Sequence, residues 1–418
     1  MTNSNSQRAA LRFENPFRPG AGHMPPYLAG RTAEQDGIKR LFRQRVVMEN
    51  AVLTGLRGVG KSVLLETFRP IAMSLGWLWA GTDLSESASV TEETLATRIL
   101  ADIALVTSAL FVRETRQLEM GFARAERIIH EPLDYSILRA RFDSTPGLIA
   151  DKLKAVLEFV WSVMPQAAIS GIVFAYDEAQ NLADHAERDE YPLSLILDVF
   201  QSIQRKGVPF MLVLTGLPTL FPKLVQARTY TERMFHLMVL IKLDDASSRD
   251  AIIKPTQGNR CPLKFSDAAV ENIVKLSGGY PYFIQFICKE VYDVWIAKIQ
   301  SGEVATIPSN DIVRKLDSDF FQGRWAKATD RQRDLLQAIA LLPNADSEFT
   351  VQEVYSASKE CLQKPFTSSH ISQMLVYLGD AGLVYKNRWG KYSLAVPLLS
   401  QFILRQNAAR LNLPRPLS

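Results

Sequence analysis

Cysteine is scarce in this sequence, at 3 of 418 residues. Cys261, Cys288 and Cys361 cannot form a disulfide framework, and none has the C-x-x-C spacing of a thiolate metal site. The five histidines are scattered, so no metal-ligating cluster is legible. Long hydrophobic runs are missing as well. The longest apolar stretch, Ile99 to Val112, is interrupted by Asp102 and falls short of the ~20 residues that cross a bilayer. A buried helix is the better reading. Residues Met1 to Gln7 are polar and contain no apolar segment of the kind that opens a secretory signal. A reduced, cytoplasmic protein with no membrane partner is therefore expected.

Acidic residues are absent after Asp380, whereas Lys386, Arg388, Lys391, Arg405, Arg410 and Arg415 follow it. From Trp325 onward there are 11 Lys and Arg against 7 Asp and Glu, and the preceding residues balance at 37 each, so the formal charge of +4 lies at one end. One-sided positive charge points to an anionic partner, with a solvated basic face as the alternative.

At 47% apolar and 22% charged, the chain is a multi-domain globular protein with ample core. Residues 1–30 carry Pro16, Pro19, Pro25 and Pro26 and read as an extended arm that wraps another surface. A helical pattern follows from Arg31 to about Arg45. Strand-like runs appear at 51–54, 77–80, 171–176, 210–214 and 235–241, separated by helical segments. This alternation implies an α/β fold built on a parallel sheet covered on both faces. Residues 91–164 read as helical, with breaks at Pro132 and Pro146. Residues 244–321 read as all helical. Helices at 330–342, 350–358 and 368–383 then precede two strand-like runs around Trp389-Gly390.

Gly55-Leu-Arg-Gly-Val-Gly60-Lys61-Ser62 matches G-x-x-x-x-G-K-[ST] in full. Each part has a chemical reason. The glycines let successive N–H groups face phosphates, Lys61 reaches the β and γ oxygens, and Ser62 ligates Mg²⁺. A strand precedes the loop and an apolar helix follows, so its positive dipole end aims at the same place. That context excludes a Gly-rich turn with a surface lysine. Ile172-Val-Phe-Ala-Tyr-Asp177-Glu178 is an apolar strand ending in two carboxylates, where open α/β sheets place ligands. Asp177 is expected to hold Mg²⁺ and Glu178 to act as general base toward water.

Together with Leu28-Ala-Gly30-Arg31, Leu214-Thr215-Gly216, Tyr230-Thr-Glu232-Arg233 and Gly278-Gly279-Tyr-Pro281, these motifs resemble AAA+ ATPases of the archaeal-ATPase and origin-recognition-initiator type. They are also similar to the neighbouring STAND signalling ATPases. The resemblance covers about residues 25 to 400. It implies a P-loop AAA+ parallel-sheet core at 31–243, carrying a helical insertion at about 91–164. An all-helical lid domain at 244–323 and a C-terminal winged-helix domain at 324–418 follow. ATP and Mg²⁺ are the implied cofactors, with Gly55, Gly58, Val59, Gly60, Lys61, Ser62 and Val63 around the phosphates. Tyr27, Leu28, Gly30 and Arg31 are implied on the adenine side, with an ordinary proline-bounded turn as the alternative. Thr215 takes the place of the polar residue that senses the γ-phosphate and water, unless it is only a turn former before Gly216. Arg233 resembles an arginine finger acting on a neighbouring subunit, which implies a homo-oligomer. A salt bridge with Glu232 is its alternative role, and Arg228 is a second candidate finger.

Two departures stand out. Lys61 and Asp177 are 116 positions apart, longer than a minimal core of this type. The lid helix start has no arginine where AAA+ members carry one, and instead resembles the G-x-P motif of the signalling ATPases, in which Pro281 approaches the nucleotide. A first-turn helix proline is the plain alternative. The departure favours a slow nucleotide switch over a motor.

The C-terminal pattern reads as a winged helix with a wing turn at Arg388-Trp-Gly390. Its third helix offers Ser369, Ser372, Gln373 and Tyr377, and the wing offers Lys386, Arg388 and Lys391. Without Arg, Lys or Asn on that helix, backbone-dominated contact with double-stranded DNA is expected. The expected function is an ATP-controlled, DNA-binding protein that recruits or licenses a partner protein. The competing class is a STAND-type signalling ATPase, for example in anti-phage defence, whose winged helix packs against protein.

Overall fold

The structure, a computed structural model, describes residues 14–410 except 21, 82, 86, 88–90, 121–122, 166–167, 258–260, 262, 302–308 and 389. Side chains within 112–130, 299–301 and 407–410 and at 388 lie outside the description. The chain divides into two compact units. One comprises Arg31–Leu56 and Lys61–Leu240. The other takes the described residues before Arg31, the loop residues Arg57–Gly60 and the chain from Ile241 on.

The first unit runs α1 (Thr32–Phe42), β1 (Asn50–Gly55), α2 (Lys61–Ser74), β2 (Trp77–Ala80), α3 (Glu92–Thr107), β3 (Phe111–Met120), β4 (Ala123–Pro132), α4 (Tyr135–Ser144) and α5 (Ile149–Val163). It continues with β5 (Gly171–Tyr176), α6 (Pro192–Arg205), β6 (Phe210–Gly216), α7 (Leu220–Ala227), α8 (Thr231–Met234) and β7 (Phe235–Leu240). Five strands form a parallel sheet in the order β2-β5-β6-β1-β7. β1, β5 and β6 are buried along their whole lengths, which is why they read as unbroken apolar runs. Ile172, Phe174 and Tyr176 alternate onto one face of β5 and join the core made with α3 to α6. There Phe174 meets Phe200 at 5.0 Å and Phe210 at 5.7 Å between ring centroids.

The stretch 91–164 is not helical throughout, as its pattern had suggested. Within it β3 and β4 form an antiparallel hairpin, paired from Phe111 with Pro132 to Met120 with Ala123. In β3 the apolar residues Phe111, Val112, Leu118 and Met120 gather at the two ends and leave no stripe for a helix to bury. The β-branched Val112, Thr115, Ile128 and Ile129 favour extended backbone.

The second unit contains α9 (Asp245–Ile253), α10 (Asp267–Ser277), α11 (Pro281–Ser301) and α12 (Ser309–Leu316), then a wider helical turn at Asp317–Phe321 and α13 (Gln322–Trp325). After these come α14 (Asp330–Ala340), β8 (Phe349–Thr350), α15 (Val351–Cys361), α16 (Ser368–Asp380), β9 (Val384–Arg388), β10 (Lys391–Leu394) and α17 (Leu399–Arg410). The three strands form a small antiparallel sheet in the order β8-β10-β9. One hydrophobic core runs from Phe17 through α10, α11 and α14 to Ile403. α17 had no counterpart in the sequence pattern. It buries Phe402 and Ile403 and stacks Phe402 on Phe321 at 5.1 Å.

The proline-bearing arm lies on its own chain. Phe17 is 2% exposed, the Asn15 amide donates to the Lys289 carbonyl at 3.0 Å, and the Arg18 N–H donates to Gln285 at 3.1 Å.

Two helix starts in this unit, those of α14 and α15, are marked by capping boxes. At α15 the Thr350 hydroxyl accepts from the Glu353 N–H at 3.2 Å, and the Glu353 carboxylate accepts from the Thr350 N–H at 2.6 Å. The Thr350 hydroxyl also donates to that carboxylate at 2.8 Å, and this bond, followed by the backbone one, lowers the Glu353 pKa. A carboxyl with a depressed folded pKa stabilises the fold above its unfolded pKa and loses that contribution as pH falls through the folded one. Thr350→Ala is expected to cost about 1 kcal/mol in urea unfolding at neutral pH. The smaller cost of Glu353→Gln should vanish on acidification, and a cost that persists in acid would contradict this role.

Candidate functional site

The site begins where β1 ends. Gly55 closes the strand, and the loop reaches α2 through Gly58 at φ 82° and Gly60 at φ 90°, a backbone region that side chains disfavour. Val59, only 1% exposed, anchors the loop. Lys61 opens α2, and its ammonium donates back to the carbonyls of Gly55 at 2.9 Å and Leu56 at 3.0 Å. Ser62 and Val63 follow, both half-buried. The loop tip is fixed within the second unit, where the Tyr282 N–H donates to the Gly58 carbonyl at 3.0 Å. A Cβ on Gly58 would sit 3.1 Å from that of Tyr282. Pro281, the first residue of α11, is thereby carried next to the residue that holds the loop.

Asp177 follows β5 and is 6% exposed. Burial raises its pKa, against a hydrogen bond with the Ser62 hydroxyl and one from the Glu178 backbone. The latter measures 2.8 Å. Two sequence-distant members of the expected metal pair thus lie near one another. Hydroxyl and carboxylate oxygens are the hard donors that Mg²⁺ takes, so the donor set fits that ion.

Glu178 is exposed and left-handed, at φ 52° and ψ 32°, a costly conformation for a non-glycine residue that recurs at functional sites. Its carboxylate accepts from the Gln180 amide, and the Gln180 oxygen accepts from the Leu217 N–H at 3.1 Å. This line ties the end of β5 to the end of β6. Gln180 was not visible as a site residue in the sequence. Its only signal was its place two residues after the acidic pair.

Because β6 lies between β5 and β1, its last residues stand between the acidic pair and the loop. Thr215 pairs with Leu53 of β1 and is fully buried, and its hydroxyl has no hydrogen-bond partner among the described residues. An orphaned buried hydroxyl is costly and calls for a ligand or water.

The two candidate fingers differ sharply. Arg228 forms a two-pronged pair with Asp198 at 2.9 and 2.7 Å, and the Tyr230 hydroxyl donates to the same carboxylate at 2.7 Å. Arg233 is exposed, and no bond to Glu232 holds it.

On the expected adenine side, Leu28 is half-buried. The Tyr27 hydroxyl accepts from Lys254 at 2.8 Å. A Cβ on Gly30 would lie 2.5 Å from the Ser247 hydroxyl. Arg31 is 5% exposed and paired with Glu34 at 3.2 Å.

In α16, Ile371, Met374, Leu375 and Leu378 are buried, while Ser369 and Gln373 are exposed beside Val376 at 61% and Tyr377 at 55%. Lys386 is exposed on β9, and Lys391 is half-buried on β10 opposite Arg388. The Arg388 side chain, Trp389 and Arg415 lie outside the described residues. Arg405, counted with the basic end, is paired with Asp317 at 3.0 Å. Among the described residues no helix is long and apolar enough to cross a membrane.

The fold, a five-stranded parallel core with a helical domain, resembles that of solved origin-recognition proteins. It is similar to the ORC2 protein of Aeropyrum pernix in its ADP form, at 15% identity over 94% of this chain and 97% of that one, with a TM-score of 0.53. The ADPNP-ADP complexes of that protein align at 14% identity over 94% and 98%, with a TM-score of 0.49. The Aeropyrum pernix ORC1 protein in complex with DNA aligns at 16% over 93% and 95%, with a TM-score of 0.47. Residues 318–403 match a family described as a domain of unknown function, DUF8462. No curated protein matches the chain.

Thr215→Val keeps the shape and removes the orphaned hydroxyl. It is expected to raise the stability of the ligand-free protein by about 1 kcal/mol, read as a higher thermal midpoint. A drop in stability would mean that the hydroxyl has a partner.

Proposed function

We propose that the protein is a Mg²⁺-dependent ATPase that works as a slow switch, binds duplex DNA through a C-terminal winged helix and assembles with copies of itself to recruit a partner protein. The observation that carries this reading is the buried Asp177, near the Ser62 hydroxyl, at the strand end beside a phosphate-loop lysine. The ADP form of the similar ORC2 protein supports nucleotide as the ligand.

In this reading Lys61 leaves the loop carbonyls for the β and γ oxygens, and the loop amides hold the rest of the chain of phosphates. Ser62 and Asp177 would hold Mg²⁺, which would supply neutralisation of phosphate charge when bound. Glu178 takes the proton of the attacking water, and Gln180 aims it. Thr215 offers its hydroxyl to the same water or to the terminal phosphate. Leu28 and Arg31 border the base, and Pro281 borders the phosphates. Arg233, exposed and unbound to Glu232, reaches a neighbouring copy's site, whereas Arg228 is held by Asp198. Residues 244–323 act as the lid and 324–418 as the winged helix.

Lys61→Ala is expected to abolish ATP binding, and Glu178→Gln to bind ATP without turning it over. Arg233→Ala should bind normally and lose about 10³-fold or more in turnover. Mixing it with Lys61→Ala should restore part of the rate, because each variant supplies what the other lacks. No recovery on mixing would remove Arg233 from the trans role.

For DNA, Ser369, Gln373, Lys386, Arg388 and Lys391 make the contacts. Lys386→Ala and Lys391→Ala are each expected to weaken duplex binding and to reduce the salt slope by about 1. The exposed Val376 and Tyr377 on α16 favour a second reading, in which this face packs against protein as in a signalling ATPase. A salt-independent response, with binding of a protein lost in Tyr377→Ala, would select it.

A further inference from the structure

The turn that follows β5 is tied to three neighbours, and one of them has no place in the chemistry described so far. Glu178 is left-handed at φ 52°, a backbone state that persists only where the surroundings fix it. The Asn181 N–H returns to the Glu178 carbonyl at 3.0 Å. The Asn181 amide then donates to the Leu84 carbonyl at 2.8 Å, which ties the turn to the segment after β2. The Gln180 side chain ties it to Leu217 at the end of β6. The third tie is Lys223 of α7, whose ammonium donates to the Gln180 carbonyl at 2.7 Å. All of these residues belong to the first unit.

Lys223 is half-buried, and it lies 43 positions along the chain from its acceptor. A lysine needed only for solubility extends its ammonium into water. Here burial lowers the Lys223 pKa, against the charge of Asp184. Asp184 is itself occupied, because its carboxylate accepts from the Ser194 N–H at 3.0 Å and from the Ser194 hydroxyl at 2.5 Å. The ammonium is thus directed at a main-chain carbonyl of the turn. The helix that carries it is firmly placed: Leu220 and Leu224 are fully buried, and Arg228 just beyond its end is held by Asp198 of α6. On the β6 side, Gly216 makes room for the same glutamine. A Cβ there would lie 2.6 Å from the Gln180 side-chain oxygen and 3.3 Å from its main-chain nitrogen. Gln180 is therefore fixed at both its carbonyl and its side chain, and its amide donates to the Glu178 carboxylate.

We propose that Lys223 is a positioning residue for the hydrolytic step: through the Gln180 carbonyl it fixes the turn after β5, so that Gln180 presents the Glu178 carboxylate to water. Lys223 touches neither phosphate nor metal in this assignment and acts only through Gln180 and Glu178. The inference rests on the reading of Glu178 as the group that takes the proton of the attacking water, and adds what holds that group in place. A hydrogen bond from a charged donor is roughly twice as strong as a neutral one, which suits a tie that must hold a strained turn.

The experiment measures kcat, KM and ATP affinity for the full chain and for Lys223→Met, Lys223→Arg and Gly216→Ala, together with Glu178→Gln and its combination with Lys223→Met. Lys223→Met keeps an unbranched stem and removes the donor. It is expected to lower kcat about ten- to hundredfold with KM and ATP affinity unchanged. Lys223→Arg still offers a charged donor and should recover part of the rate. Gly216→Ala disturbs the same glutamine from β6 and should likewise lower kcat without weakening ATP. In the Glu178→Gln background, Lys223→Met should cause no further loss of the residual turnover, since nothing is left for it to position. Lys223→Gln, neutral and polar, takes the place of Lys223→Met if that variant misfolds. Unchanged kcat on loss of the Lys223 ammonium would overturn the positioning role, as would a loss that falls on ATP affinity or that persists in the Glu178→Gln background. In each of those cases Glu178 keeps its catalytic role. If the unsubstituted protein does not hydrolyse ATP, or if Glu178→Gln turns it over normally, the reading of Glu178 fails and this inference fails with it.

Discussion

Everything in the site depends on the seating of β6 between β1 and β5. A parallel sheet brings the carboxyl ends of its strands to one edge, and the order β2-β5-β6-β1-β7 chooses which ends become neighbours. Gly55, Thr215 and Asp177 meet because each closes or follows one of three adjacent strands. Among the elements that bridge their sequence separations, α2 carries Lys61 and Ser62 at its start. The packing of Phe174 against Phe200 and Phe210 holds this arrangement, since the strand that bears the aromatic ring also delivers the acidic pair. Three polar groups are buried or strained together at that edge: the Asp177 carboxyl, the unpartnered Thr215 hydroxyl and the left-handed Glu178. A hydrophobic core alone would disfavour each of them. Their coexistence marks the place where the fold carries an energetic penalty for its chemistry.

Much of this was legible from the residues. The three central strands announced themselves because strands buried on both faces are apolar without alternation, and the loop because its glycines have a backbone reason. The capping boxes at Thr329 and Thr350 follow a spacing that can be read directly. What escaped is of a different kind. The β3–β4 hairpin is made of charged and β-branched residues with no stripe, and its pairing is a relation between segments that neither segment states alone. α17 was obscured because its apolar residues meet partners in α14 and at Phe321, far away along the chain. The roles of Gln180 and Tyr282 are invisible for the same reason: a polar side chain acquires a function from what lies beside it.

Charge was the most misleading quantity. The basic end suggested one surface, yet Arg405 is paired with Asp317 and Lys391 is half-buried, so the count overstated what is offered outward. Position relative to other charges decided the matter, as expected when electrostatic energy depends on pairs and their surroundings.

The arm has a consequence for the order in which the chain takes shape. Asn15 finds its partner Lys289 274 positions later, and Phe17 joins a core whose other buried members, Ala29 apart, come from beyond residue 240. The earliest described segment therefore remains without its native contacts until α11 has formed, while the parallel sheet draws only on residues made before that point. Closing so large a loop is slow and entropically costly. The arm works as a late fastener: it leaves the assembly of the sheet unconstrained and joins the first described residues to α11 once that helix exists.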